Sequence, residues 1–110
     1  MHPTIEKLIA GGPIVTDGAW GTQLQARGLA IGEFPDAWNL THPDRVAEVA
    51  SAYVNAGSRV ILTNTFGANR IRLAENSLAD RVVEINRRGV EISRAATGGN
   101  AAVFASIGPS

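Results

Sequence analysis

Two short polar strings have the residue types needed to hold a small zwitterion. Asp17-Gly18-Ala19 sets one carboxylate beside two small residues. The carboxylate can accept hydrogen bonds from an amine, while the Gly18 and Ala19 backbone N–H groups can face a carboxylate, a pairing that suits the head of an amino acid. The same tripeptide also fits a tight turn in which Asp17 bonds its own backbone, and taken alone the turn is the stronger reading. Thr63-Asn64-Thr65 offers two hydroxyls and an amide, which orient a ligand without charge. These groups would equally cap a strand end by satisfying its orphaned backbone groups. Trp20 and Trp38 lie where either could wall a pocket, although a lone tryptophan more often serves packing.

Other chemistries find little support. The chain has no cysteine, which excludes disulfides and thiolate metal sites formed from its own residues. His2 and His42 have neither a carboxylate nor a second histidine at ligand spacing. Ten basic residues balance ten acidic ones, and no Lys/Arg cluster could track a phosphate backbone, so nucleic acid is not an expected partner. The charges from Arg70 to Arg94 read as solvated helix faces with i,i+3 and i,i+4 pairing. Gly98-Gly99 leads into Asn100 and a strand rather than a helix, and no GxGxxG or GxxxxGK[ST] occurs, so no motif backs nucleotide binding. The opening MHPTIEKLIAGGPIV lacks a basic n-region, and its apolar runs are too short for a signal sequence or a membrane span. A soluble, cytoplasmic protein with no membrane partner is the expectation.

The elements that must position the polar strings follow from periodicity and punctuation. With 110 residues and 45% hydrophobic content, one globular domain is expected. Residues 4–10 read as a short helix closed by Gly11-Gly12, and Pro13-Ile14-Val15-Thr16 as the first strand. A helical turn over Thr22 to Arg27 precedes a long connection from 28 to 40. Thr41-x-x-Asp44 with Pro43 predicts a boxed helix start, followed by the stripe Val46, Val49, Ala50, Tyr53 and Val54 and a stop at Gly57. Val60-Ile61-Leu62 reads as a strand buried on both faces. Ser77-x-x-Asp80 predicts a second box, and Leu78, Val82, Ile85, Gly89, Ile92 and Ala96 step by three and four along one face. Gly89 on that face would let the helix approach the sheet closely. Ala102 to Ile107 is the third strand, broken by Gly108-Pro109. Alternating strands and helices predict βαβ crossovers and a parallel sheet. TDGAWGT, TNTFGAN and SIGPS then end on one rim, where parallel α/β folds bind ligands.

Five strings occur in order with characteristic spacing: Asp17-Gly18-Ala19-Trp20-Gly21-Thr22, Trp38-Asn39-Leu40-Thr41-His42-Pro43, Tyr53-Val54-Asn55-Ala56-Gly57, Thr63-Asn64-Thr65-Phe66-Gly67-Ala68-Asn69 and Ser106-Ile107-Gly108-Pro109. On these strings the chain closely resembles the N-terminal part of the homocysteine S-methyltransferase family. That family includes the homocysteine-binding module of cobalamin-dependent methionine synthase and betaine-homocysteine methyltransferase. The resemblance implies an α/β chain in which residues 1–110 form the N-terminal portion, about three βα units, of a (β/α)8 TIM barrel with parallel strands. Such a barrel needs roughly 250 residues, so the chain is expected to be part of a longer protein.

The activity implied is zinc-dependent transfer of a methyl group to the thiol of homocysteine, forming methionine in one-carbon metabolism. Zinc would lower the thiol pKa and hold a thiolate nucleophile. The family holds zinc with three cysteines from late strands, so the ligands are expected outside these residues, and a methylcorrinoid is among the implied methyl donors. By motif, Asp17 would receive the homocysteine amino group with Gly18 and Ala19 beside it. Thr63, Asn64 and Thr65 would form the adjacent rim, and Trp38 would lie on the methyl-donor side. No residue of the chain is assigned a catalytic or metal role. Trp20 stands where many members carry Met or Phe. Two other readings compete: a non-catalytic partial-barrel module that pairs to cover its open sheet, and a related TIM-barrel enzyme with different chemistry, because a fold does not fix a reaction.

Overall fold

The structure, a computed structural model, describes residues 2–109. The two amphipathic stripes become its two long helices, α4 (Pro43–Asn55) and α6 (Val82–Thr97). The other helices are α1 (Pro3–Ile9), α2 (Trp20–Ala26), α3 (Trp38–Thr41) and α5 (Arg70–Ala74). Strands β1 (Val60–Leu62) and β2 (Ala102–Phe104) pair in parallel, with Val60 opposite Ala102 and Leu62 opposite Phe104. Buried Val46, Val49 and Ala50 on α4 and Ile85, Gly89 and Ile92 on α6 turn inward, and the two helices pack on each other and on β1. Gly98 ends α6 in the left-handed conformation, φ 55°, as a glycine stop should.

The first strand is reduced to a bridge. Thr16 pairs in parallel with Val60, flanked by Arg59 N–H donating to Val15 C=O at 2.6 Å and Asp17 N–H donating to Val60 C=O at 2.9 Å. Pro13 has no N–H to donate, and Val15 is 63% exposed with no strand outside it among the described residues. The third strand stops at Phe104, three residues short of the expected Ile107, because side chains from the end of β1 take over the bonding there. The result is an α/β fold with a small parallel sheet, consistent with part of a larger barrel-type fold.

Local signals near the helix starts did not all hold. His42 precedes α4 and makes no side-chain cap. The expected cap, Thr41, instead donates back to Ala37 C=O at 3.3 Å, because residues 38–41 are themselves helical. Ser77 sits at φ 59°, and α6 begins only at Val82 after a 3-10 turn over Ala79–Arg81, so that box does not form either. The segment 28–40 is more than a connection, since it carries a 3-10 turn (Pro35–Ala37) and α3. Helix α5 has no counterpart among the expected elements. Its start is capped by Asn69, whose Oδ1 accepts the Arg72 N–H at 2.9 Å.

The helix-covered face of the sheet holds the core. Leu24, Leu29, Trp38, Val46, Val49 and Ile92 form one cluster, and Ala68, Leu73 and Ile85 form a second. On the other face, Ile14, Val60, Leu62 and Phe104 line an apolar cavity of about 460 Å3, walled by Ile5, Leu8 and Ile9 of α1.

Candidate functional site

Asp17 follows the bridging Thr16 and is half-buried. Its Oδ2 accepts the Trp20 indole N–H at 2.6 Å and the Leu62 N–H at 2.8 Å. The carboxylate therefore crosses to the next strand instead of closing a turn on its own backbone. Its other oxygen accepts no hydrogen bond from the described residues. Tyr53 donates its hydroxyl to Ala19 C=O at 3.0 Å and lies so close to Gly18 that a Cβ there would stand 3.0 Å from the phenol oxygen. A glycine at 18 is what lets the tyrosine fasten this turn to α4.

Thr63, Asn64 and Thr65 are 3%, 7% and 5% exposed. Ser106 N–H donates to Thr63 Oγ1 at 3.1 Å, the two threonine hydroxyls lie 2.6 Å apart, and Thr65 donates to Ser106 C=O at 2.8 Å. A hydroxyl has one hydrogen, so Thr63 must donate to Thr65, and the three residues form a closed ring that ties β1 to the chain beyond β2. Asn64 Nδ2 donates to Pro35 C=O and to Asn39 Oδ1, both at 3.0 Å. Asn39 in turn donates to Asn64 C=O at 2.8 Å and Ile85 C=O at 3.0 Å. The Thr-Asn-Thr string thus caps the strand and fixes the rim. Gly89 of α6 passes directly behind it, as the sequence led us to expect: a Cβ there would be 2.6 Å from Thr65 Cγ2.

These elements enclose a rim cavity of about 380 Å3 lined by Gly18, Trp20, Phe34, Asp36, Thr63, Asn64, Thr65, Arg72 and Ser106, among others. Of the expected site residues, Gly18 and the Thr-Asn-Thr string meet there. Asp17 lines the neighbouring cavity under the open sheet face, which Gly18 also borders. Ala19 is exposed and lines neither. Trp38 is 1% exposed, buried in the main core cluster, and lines neither cavity. Its indole donates to Glu33 at 2.7 Å and its ring lies 4.6 Å from that of His42 and 5.5 Å from the Arg45 guanidinium. Glu33, accepting the Ala30 N–H as well as that indole, has its pKa lowered by both.

Asp36 and Arg72 are the site residues that sequence reading missed. Asp36 is 4% exposed and accepts the Gly67 N–H at 3.1 Å. Burial raises its pKa, against the opposing pull of the Gly67 N–H and the Arg72 charge. The available signal was its place in a long loop. Arg72 sits among charges that look solvated, and only the fold of α5 brings it to the cavity. Metal chemistry finds no fit in these residues: among the described residues, no three His, Cys, Asp or Glu side chains converge.

Comparison with known proteins decides the family. The model of the family described as homocysteine S-methyltransferase matches residues 14–110. The chain belongs to the homocysteine S-methyltransferase family. It is 37% identical over 87 residues to a methionine synthase of Mycobacterium tuberculosis and 36% identical over 87 residues to that of Mycobacterium leprae. Each match covers 74% of this chain and 7% of the relative, so the chain spans a small part of the curated relatives' length. The crystal structure of the Escherichia coli homocysteine methyltransferase MmuM in its metallated form superposes with a TM-score of 0.85 at 24% identity, over 96% of this chain and 41% of that one. Its oxidized form gives 0.76 at 22% identity, over 94% and 40%. At these identities the superpositions establish a shared fold. Membership of this homocysteine S-methyltransferase family supports methyl transfer as the class of reaction.

Proposed function

We propose that the protein carrying this chain transfers a methyl group to the thiol of homocysteine, giving methionine, and that residues 13–109 supply part of the rim of a (β/α)8 barrel that holds the amino-acid head. The observation that carries this reading is the Asp17 carboxylate. One oxygen is pinned by Trp20 and Leu62 at 2.6 and 2.8 Å, which fixes the orientation of the other at a strand end. A carboxylate held in that way is preorganised to accept an ammonium group without reordering. The family match over residues 14–110 supplies the reaction class. Zinc belongs to this reading as a group held by residues outside the chain. A methylcorrinoid is one candidate methyl donor; betaine, S-methylmethionine and S-adenosylmethionine are the others.

The test is methionine formation by the purified full-length gene product from homocysteine and each of the four donors in turn. Asp17→Asn keeps an oxygen for Trp20 and Leu62 but removes the charge, and should lower kcat/KM for homocysteine roughly 10- to 100-fold, the worth of a charge-assisted hydrogen bond. No methionine with any donor would sink the proposed activity. An unchanged kcat/KM in the variant would remove Asp17 from it.

A further inference from the structure

Arg72 stands apart from the other half-buried arginines. Arg27 donates to Gln23 and pairs with Glu48 at 3.4 Å. Arg45 donates to Arg27 C=O at 3.0 Å and lies over the Trp38 ring. Arg88 reaches Glu91 at 3.5 Å. Among the described residues the Arg72 guanidinium has no ion pair and donates no hydrogen bond, although it lines the rim cavity and its residue is half-buried. Asp36, the one acid among the described residues lining the cavity, accepts the Gly67 N–H instead. None of the Arg72 side-chain nitrogens is a buried, unbonded atom, so the guanidinium is open to the cavity, and its planar fork matches a carboxylate.

The rest of the wall sharpens the assignment. The Thr63 and Thr65 hydroxyl hydrogens are committed to the ring with Ser106, and the Asn64 amide hydrogens go to Pro35 and Asn39. Arg72 is the only cation among the described residues lining this cavity, and the volume of about 380 Å3 lies in the range of small-molecule sites. We propose that Arg72 is a specificity-determining residue whose guanidinium binds a carboxylate of the ligand in the rim cavity. The inference rests on the proposed function: the rim cavity and the cavity that Asp17 lines share Gly18 and Leu62 as walls, so the carboxylate belongs either to homocysteine, its ammonium on Asp17, or to a carboxylate-bearing methyl donor.

The experiment compares the full-length gene product with Arg72→Gln and Arg72→Lys. Initial rates are measured with L-homocysteine and with L-homocysteinamide, which lacks the carboxylate, for each donor. Arg72→Gln should raise one KM roughly 10- to 100-fold with a smaller change in kcat, and Arg72→Lys should recover part of it. If homocysteine supplies the group, its KM rises and the penalty vanishes with the amide. If the donor supplies it, the donor KM rises instead. Both KM values staying within about twofold of the parent would overturn the assignment and leave Arg72 as a charge mate for Asp36. Should the parent make no methionine, the function fails separately, and calorimetry with L-methionine and L-methioninamide decides the subsite. Carboxylate-dependent binding lost in Arg72→Gln upholds it; equal binding by parent and variant, or none, overturns it.

Discussion

Gly89→Ala is the sharpest probe of how α6 and the rim are fitted together. In an ordinary helix interior the change stabilises by about 1 kcal/mol, because alanine loses less backbone freedom on folding. Here the new Cβ would stand 2.6 Å from Thr65 Cγ2 and 2.9 Å from Asn39 Nδ2. Neither neighbour can yield freely: Asn39 is fully buried with its amide hydrogens on Asn64 and Ile85, and Thr65 is held in the ring with Thr63 and Ser106. Overpacking of this kind costs about 1–3 kcal/mol, and displacing Asn39 from one carbonyl adds about 1 kcal/mol. Set against the helix gain, the net loss is about 1–3 kcal/mol. Gly21→Ala is the matched control, since that helical glycine has nothing within 4 Å of a Cβ and should be neutral to stabilising by up to about 1 kcal/mol. Urea denaturation of the full-length protein and both variants reads the difference. A Gly89→Ala protein as stable as the parent, beside a stabilised Gly21→Ala, would refute the close-packing argument.

Two further perturbations test the rim. Thr63→Val and Thr65→Val should each cost about 1–3 kcal/mol by leaving buried partners unbonded, while the double variant costs less than the sum because the ring is already open; strict additivity in a double-mutant cycle would mean that no ring exists. Asp36 is an acid whose folded pKa lies above its ordinary 3.8, so the native state binds more protons than the unfolded one. Its contribution to stability therefore falls as pH rises from that ordinary value through the raised one, and is least favourable above it. Asp36→Asn, which keeps an acceptor for Gly67, should be more stable than the parent near neutrality and lose that advantage in acid. Denaturation curves in which the parent is the more stable protein at neutral pH would reverse the sign and count against the burial effect.

The helices carried by long stripes were legible because 3.6-residue periodicity sums over many positions: Val46, Val49, Ala50, Ile85, Gly89 and Ile92 are all buried as expected. The boxes at Thr41 and Ser77 failed because a single hydroxyl is a local signal that neighbouring turns can redirect. Helix α5 escaped notice because five residues are too few to show a period. Trp38, which the resemblance puts on the methyl-donor side, lies among core side chains, a placement that its type alone could not reveal.

By itself the sequence determined the two long helices, the parallel pairing of Val60–Leu62 with the strand from Ala102 and the sharing of one rim by three polar strings, since these follow from patterning and chain connectivity. Tertiary structure alone decided which polar atoms remain free. Thr63, Asn64 and Thr65 could have faced a ligand, but long-range partners at Ser106, Asn39 and Pro35 hold their hydrogens. Asp17 retains one oxygen because Trp20 and Leu62 converge on the other, and the Arg72 guanidinium has no protein acceptor among the described residues while Asp36 accepts the Gly67 N–H. The physical reason is that a hydrogen-bonding group's availability depends on every neighbour that folding brings within about 3 Å, and most of those neighbours lie tens of residues away.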